Sequence, residues 1–222
     1  MSLYVPRVTV AAFEEHFFAP ETGTYDQEGT HHEFNQGLHG RKIDFDAVKE
    51  GTRLYEEWVD VTAADLASRY SKSELGRAVL VGVANGTNRL ARDTALALGG
   101  GLLALETVKI EKGNIQLSQE AIRMLMAVNP SLVIITEDIA TRGTNGSSVV
   151  LSTHANRPPG LEEIIVSHTI QRGMPERLAE LGIEYHSLIT KLLPNYRPEV
   201  CRAKGYCADG WDLIKYGQKT HS

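Results

Sequence analysis

The chain has 222 residues, 42% hydrophobic and 23% charged, which is the balance of a globular domain or one domain with an appended lobe. Acidic residues number 28 against 23 basic ones, the net charge is −5, and no basic stripe is visible, so nucleic acid is not an expected partner. No apolar run approaches the ~18 residues that span a bilayer, and no basic stretch followed by an apolar core opens the chain; the reading is a cytoplasmic protein without a membrane partner.

The first forty residues mix Gly, Pro, His and acids and read as loops with one short strand at Val8–Phe13. Leu54, Trp58, Val61, Leu66 and Tyr70 can share one face of a helix spanning Phe45–Tyr70. Strands are predicted at Ala78–Val83, Leu102–Ile110, Leu132–Thr136, Glu163–Ile170 and Ile183–Leu188. Helices are predicted between them: Asn88–Leu98, a segment capped by Ser118 and stopped at Asn129-Pro130, Ser147–Ala155, and Pro175–Leu181 ended by Gly182. Continuous apolar strands alternating with helices mean that both sheet faces are covered. The expected class is α/β, a mainly parallel doubly wound sheet. Ligands of such sheets bind beyond the carboxyl ends of the strands, here the loops after Val83, Ile110, Thr136 and Ile170.

The segment Leu132-Val133-Ile134-Ile135-Thr136-Glu137-Asp138-Ile139-Ala140-Thr141-Arg142-Gly143-Thr144 carries the clearest chemistry. A buried strand leads through two acids into a Thr/Gly turn and then a helix. Backbone amides from Ile139 to Thr144 can point into one concavity at the positive end of that helix, which is a phosphate site. Gly143 permits close approach, and Thr141 and Thr144 add hydroxyls. Glu137 and Asp138 would repel phosphate but suit sugar hydroxyls or a hydrated Mg²⁺. A ligand with a phosphate at one end and a diol beside it fits, as ribose 5-phosphate does.

This ordered combination resembles the phosphoribosyl pyrophosphate motif of type I phosphoribosyltransferases: apolar strand, two acids, two variable residues, Thr-x-Gly-Thr. The resemblance implies that Ile139, Ala140, Thr141, Arg142, Gly143 and Thr144 hold the 5-phosphate and that Glu137 and Asp138 act at the ribose. Val79–Val83 with Ala84-Asn85-Gly86 is similar to the family's pyrophosphate loop and implies a non-proline cis peptide at Ala84-Asn85. Phe34–Asp46, with its core Gly40-Arg41-Lys42, resembles the hood segment of orotate phosphoribosyltransferases and implies that Arg41 and Lys42 face the base or pyrophosphate. Lys109 and Lys112 fall at the two lysine positions of that family's catalytic loop. Departures are Leu38, Val108 and Asn85 where basic residues are usual, and the loop histidine is absent.

The resemblance further implies Mg²⁺ dependence, a homodimer, and an orotate-like acceptor; a purine-type transferase and a non-catalytic phosphoribosyl pyrophosphate or nucleotide-binding regulator stay open. The expected layout is a hood and leading helix over 1–60, a core over 61–195, and a C-terminal segment, 196–222, returning to the hood. Cys201 and Cys207 read as free thiols, because zinc needs two more ligands and no histidine spacing supplies them. His31, His32 and His154 read as solvated or capping residues, and Trp58 and Trp211 as packing residues.

Overall fold

The structure is a computed structural model and describes residues 4–34, 37–84, 86–99, 101–110 and 114–215. Thr9 turns the expected strand at Val8–Phe13 into a helix: its hydroxyl accepts from the Ala12 amide at 3.2 Å and opens α1 (Val10–Phe17). Val10, Phe13 and Phe17 then share a face at i, i+3 and i+7, and both phenylalanines are fully buried. The segment before α1 is tied down by Asp60, whose carboxylate accepts from the Tyr4 hydroxyl at 2.5 Å and the Arg7 and Val8 amides at 2.7 and 2.9 Å.

β1 (Thr30–Glu33) and β2 (His39–Gly40) form an antiparallel pair whose connecting loop carries Phe34 and Leu38. The helix expected from Phe45 starts later. Phe45–Ala47 is a single 3₁₀ turn, Gly51 adopts φ +75°, and the Thr52 hydroxyl accepts from the Tyr55 amide to begin α2 (Arg53–Arg69). α2 lays Leu54, Trp58, Val61 and Leu66 inward, and the Trp58 indole donates to Thr169 Oγ1 at 2.6 Å. A short α3 (Lys72–Leu75) follows, closed by the Ser71/Glu74 capping box.

The alternation then proceeds through β3 (Ala78–Gly82), α4 (Gly86–Leu98), β4 (Leu103–Leu105), β5 (Thr107–Lys109), β6 (Ile115–Leu117) and α5 (Gln119–Val128). It continues with β7 (Leu132–Ala140), α6 (Thr144–Ala155), β8 (Glu163–Gln171), α7 (Glu176–Glu180) and β9 (Glu184–Thr190). The strand predicted over Leu102–Ile110 is divided at Glu106: β4 joins the sheet beside β3, whereas β5 leaves it to pair antiparallel with β6. The main sheet has five parallel strands in the order β4-β3-β7-β8-β9. Val133, Ile135 and Val166 pack on one face against Leu125 of α5 and Val149 and Val150 of α6, while Leu80, Ile134 and Ile165 meet Leu66 and Ala91 on the other. This is the doubly wound sheet that continuous apolar strands require.

After β9 the chain crosses back through α8 (Pro198–Lys204) to β10 (Asp212–Ile214), which pairs parallel with β1. The small sheet β10-β1-β2 therefore joins the two ends of the chain above the carboxyl ends of the main strands. A third apolar cluster, with Phe17, Phe45 and Trp58 against Ile170 and Ile189, fastens the N-terminal part to the sheet. Truncating a buried aromatic here would cost about 3–5 kcal/mol. No helix among the described residues is long and apolar enough to cross a membrane.

Candidate active site

β7 does not stop at Thr136. It runs on through Glu137 and Asp138 to Ala140, and its register with β8 sets Glu137 opposite His168 and Ile139 opposite Ile170. Side chains alternate along a strand, so Glu137 shares the face of Val133 and Ile135. Gly146, in the first turn of α6, makes room there: a Cβ at that position would lie 3.0 Å from Glu137 Oε2. Glu137 is 3% exposed. His168 Nε2 stands 3.2 Å from its Oε2, near enough to pair as a cation but misdirected for a hydrogen bond, and Oε2 has no hydrogen-bond donor.

Asp138 points by alternation to the opposite face, with Oδ1 accepting from the Ile139 amide at 2.7 Å. Burial, and then the charge of Glu137, push its carboxyl pKa up to about 6. The two acids thus have different surroundings, and only Glu137 is among the residues lining the cavity described next.

The Thr141–Thr144 turn closes β7 and opens α6. Gly143 is the residue before the helix, at φ +71°, and a Cβ there would meet Leu178 Cγ at 3.0 Å. The positive φ and the tight packing both call for glycine. The first amides of α6 have no acceptor within the helix, and the macrodipole favours an anion before them. Thr141, Arg142, Gly143, Thr144 and Asn145 line a cavity of about 390 Å³ together with Glu137 and Ile139.

The rest of the lining comes from residues that local pattern did not single out: Arg172, Asn195, and Phe34 and Leu38 of the β1–β2 loop. Arg172 directly follows β8. Its amide donates to the Ala140 carbonyl at 2.8 Å, and its own carbonyl accepts from Leu193, which brings Asn195 alongside. The guanidinium donates through Nη2 to Asn195 Oδ1 at 2.8 Å and lies over the Phe34 ring, 4.5 Å from its centroid. Nε is buried without a partner, the residue is 7% exposed, and burial pulls its pKa down, although a guanidinium stays charged. No ion pair to Arg172 exists among the described residues. The signal for it was a charged residue just past the end of an apolar strand, where α/β sheets bind ligands.

Arg41 and Lys42 sit elsewhere in the hood. Arg41 donates to the Asp26 carbonyl and stacks on Tyr25, 4.0 Å from its centroid; Lys42 pairs with Asp44; neither lines the cavity. Ala84 follows β3 with φ +47°, its amide donating to Thr107 Oγ1 at 2.6 Å, and Gly86 starts α4. Gly82 allows this crossing: a Cβ there would meet the Thr87 carbonyl at 2.3 Å. Lys109 is exposed at the end of β5. Asn85, the Ala84-Asn85 peptide and Lys112 lie outside the described residues.

The chain has the type I phosphoribosyltransferase fold: a five-stranded parallel sheet in this order, a hood, and the Thr141–Thr144 turn after β7. By sequence, no protein-family model and no curated protein matches it. Among solved structures it is similar to the orotate phosphoribosyltransferase of Aeropyrum pernix, at 18% identity and TM-score 0.56, over 77% of this chain and 90% of that one. An adenine phosphoribosyltransferase is similar at 15% identity and TM-score 0.56, over 79% and 99%. The Mycobacterium tuberculosis orotate phosphoribosyltransferase in complex with 5-phospho-α-D-ribosyl 1-diphosphate is similar at 18% identity and TM-score 0.53, over 82% and 95%.

Proposed function

We propose that this chain transfers the 5-phosphoribosyl group of phosphoribosyl pyrophosphate to a ring nitrogen of an anionic, orotate-like base. The observation that carries the reading is one cavity lined by Glu137, the Thr141–Thr144 turn and Arg172. A buried cation with no ion pair among the described residues is costly, and a carboxylated acceptor would relieve that cost. Phe34 beneath the guanidinium and Leu38 offer apolar contact to a flat ring. The likeness to a structure holding phosphoribosyl pyrophosphate supports the same reading.

In the reaction, the C1–oxygen bond to pyrophosphate breaks with both electrons leaving on oxygen, the ring nitrogen forms the new bond at C1, and the proton that nitrogen carried is lost to solvent or to the departing pyrophosphate. Catalysis of so dissociative a displacement rests on positioning and charge. The amides and hydroxyls of the Thr141–Thr144 turn hold the 5-phosphate; the Ile139 amide, expected to join them, is taken by Asp138 Oδ1, and Ala140 is buried outside the lining. Glu137 holds the ribose hydroxyls and opposes positive charge developing on the ring; Asp138, expected beside it from the sequence, does not line the cavity. Ala84 and Gly86 would meet the pyrophosphate, with Lys109 at the end of β5 supplying positive charge; Asn85 and Lys112, expected to share these roles, lie outside the described residues. Arg172, rather than Arg41 or Lys42, meets the acceptor.

Mg²⁺ fits the donors present: Glu137 Oε2 is a hard carboxylate oxygen, buried and lacking a hydrogen bond. Glu137 would hold it through water, and when bound it would neutralise charge on the pyrophosphate. A homodimer and a cytoplasmic location go with this reading.

The test is to mix the protein with Mg²⁺, phosphoribosyl pyrophosphate and a panel of carboxylated pyrimidines, plain pyrimidines and purines, and to measure pyrophosphate release. Release with the carboxylated pyrimidines supports the proposal. Release with purines alone overturns the acceptor, and binding without release with any base overturns the enzyme in favour of a regulator.

A further inference from the structure

Four side chains that sequence spacing could not connect meet in the hood. His31 and His39 lie on one face of the β1–β2 pair: Glu33 is opposite His39, so His31 is the diagonal neighbour. Cys201 comes from α8 and Cys207 from the turn between α8 and β10. Parallel pairing of β10 with β1 brings that turn over the two rings.

His31 Nε2 and His39 Nδ1 lie 3.3 and 3.2 Å from Cys207 Sγ, and Cys201 Sγ is 3.9 Å from His31 Nε2. All four candidate ligand atoms fall within 4.8 Å of one another. With bonds of about 2.0–2.3 Å to nitrogen and sulfur, the edges of a tetrahedral zinc site measure about 3.3–3.8 Å. The observed spacings bracket that range. This corrects the reading of His31 as solvated, for it is fully buried, and gives the two thiols the partners they lacked.

We propose that His31, His39, Cys201 and Cys207 bind one structural zinc ion. Two thiolates and two neutral imidazoles cancel the 2+ charge, so the loaded site is electrically neutral inside the hood. Soft sulfur with imidazole in a four-coordinate arrangement selects zinc over hard cations. The Cys207 amide donates to Cys201 Sγ at 3.3 Å, which steadies a thiolate. Tyr206 stacks on His31 at 5.6 Å between centroids, and Trp211 stacks on Tyr206 at 4.9 Å, shielding the cluster. Binding displaces the two thiol protons to solvent. With four protein ligands no position is open to substrate, so the ion joins the C-terminal segment to both ends of the Phe34–Leu38 loop. The proposal stands apart from the phosphoribosyl reading and uses none of its residues as ligands.

The experiment is elemental analysis of the full chain produced in zinc-supplemented medium and purified under reducing conditions without chelator. One zinc per chain is expected, falling at least tenfold in Cys207→Ser and in His39→Ala. Cobalt exchanged into the intact chain gives a second measurement that needs no variant: tetrahedral d–d bands and a thiolate-to-cobalt charge-transfer band are expected. A wild-type chain with less than about a tenth of an equivalent of zinc and no such band overturns the proposal. So does full zinc in both variants, or a Cys201–Cys207 disulfide in the reduced preparation.

Discussion

Glu137 and His168 are register partners on β7 and β8, and Glu137 Oε2 lies 3.2 Å from His168 Nε2 with both side chains buried. The carboxylate is held at the cavity wall by two strands and the first turn of α6, so its position owes little to loop motion. Glu137→Gln keeps the shape and removes the charge that would face the ribose. Pyrophosphate release should fall about 100-fold in kcat/KM, equivalent to about 2.7 kcal/mol of transition-state stabilisation. A kcat/KM within threefold of the parent chain would remove Glu137 from the mechanism.

Arg172 separates the acceptor from the phosphoribosyl donor. Arg172→Ala should raise the acceptor KM at least tenfold and leave the Kd for phosphoribosyl pyrophosphate within about twofold, since the guanidinium is held by Asn195 and Phe34 rather than by the donor turn. Arg172→Lys should recover only part of the loss, because a lysine cannot reproduce the planar fork over Phe34. Calorimetric titration of the donor beside acceptor kinetics checks both halves.

Gly143→Ala places a Cβ against Leu178 at a residue with φ +71°. Strain of this kind costs of order 1–3 kcal/mol, and relief would require the turn to open. Titration with phosphoribosyl pyrophosphate should show affinity lost by at least tenfold, together with a lower melting temperature. Parental affinity would mean that the turn tolerates distortion and does not define the phosphate site.

Asp138 gives a pH signature. Its folded pKa of about 6 lies above the ordinary value of 3.8, so the folded chain holds this proton more tightly than the unfolded one. Its contribution is neutral below about pH 4, turns unfavourable as pH rises from about 4 to 6, and is constant above. Asp138→Asn should therefore be more stable than the parent at pH 7.5, by about 1–2 kcal/mol after allowance for partial exposure, and the gain should vanish near pH 4. Melting curves at the two pH values check the sign; a variant less stable at pH 7.5 contradicts it.

What the sequence determined alone is what is contiguous in the chain. Leu132–Ile135 announce a buried strand because every side chain is apolar, and Thr141–Thr144 announce a turn into a helix because hydroxyls, a glycine and a helix start follow one another. The alternation of such strands with helices carries the class of sheet. Local signals compete, however, where two elements suit the same residues: Val8–Phe13 looks extended until the Thr9 hydroxyl caps a helix.

The tertiary structure decided which distant residues became neighbours. Arg172 reaches Phe34 only because the hood folds over the end of β8, and His31 meets Cys201, 170 positions away, only because β10 pairs with β1. Strand pairing is set by hydrogen-bonded register and by burial summed over the whole chain, so no short window of sequence records it.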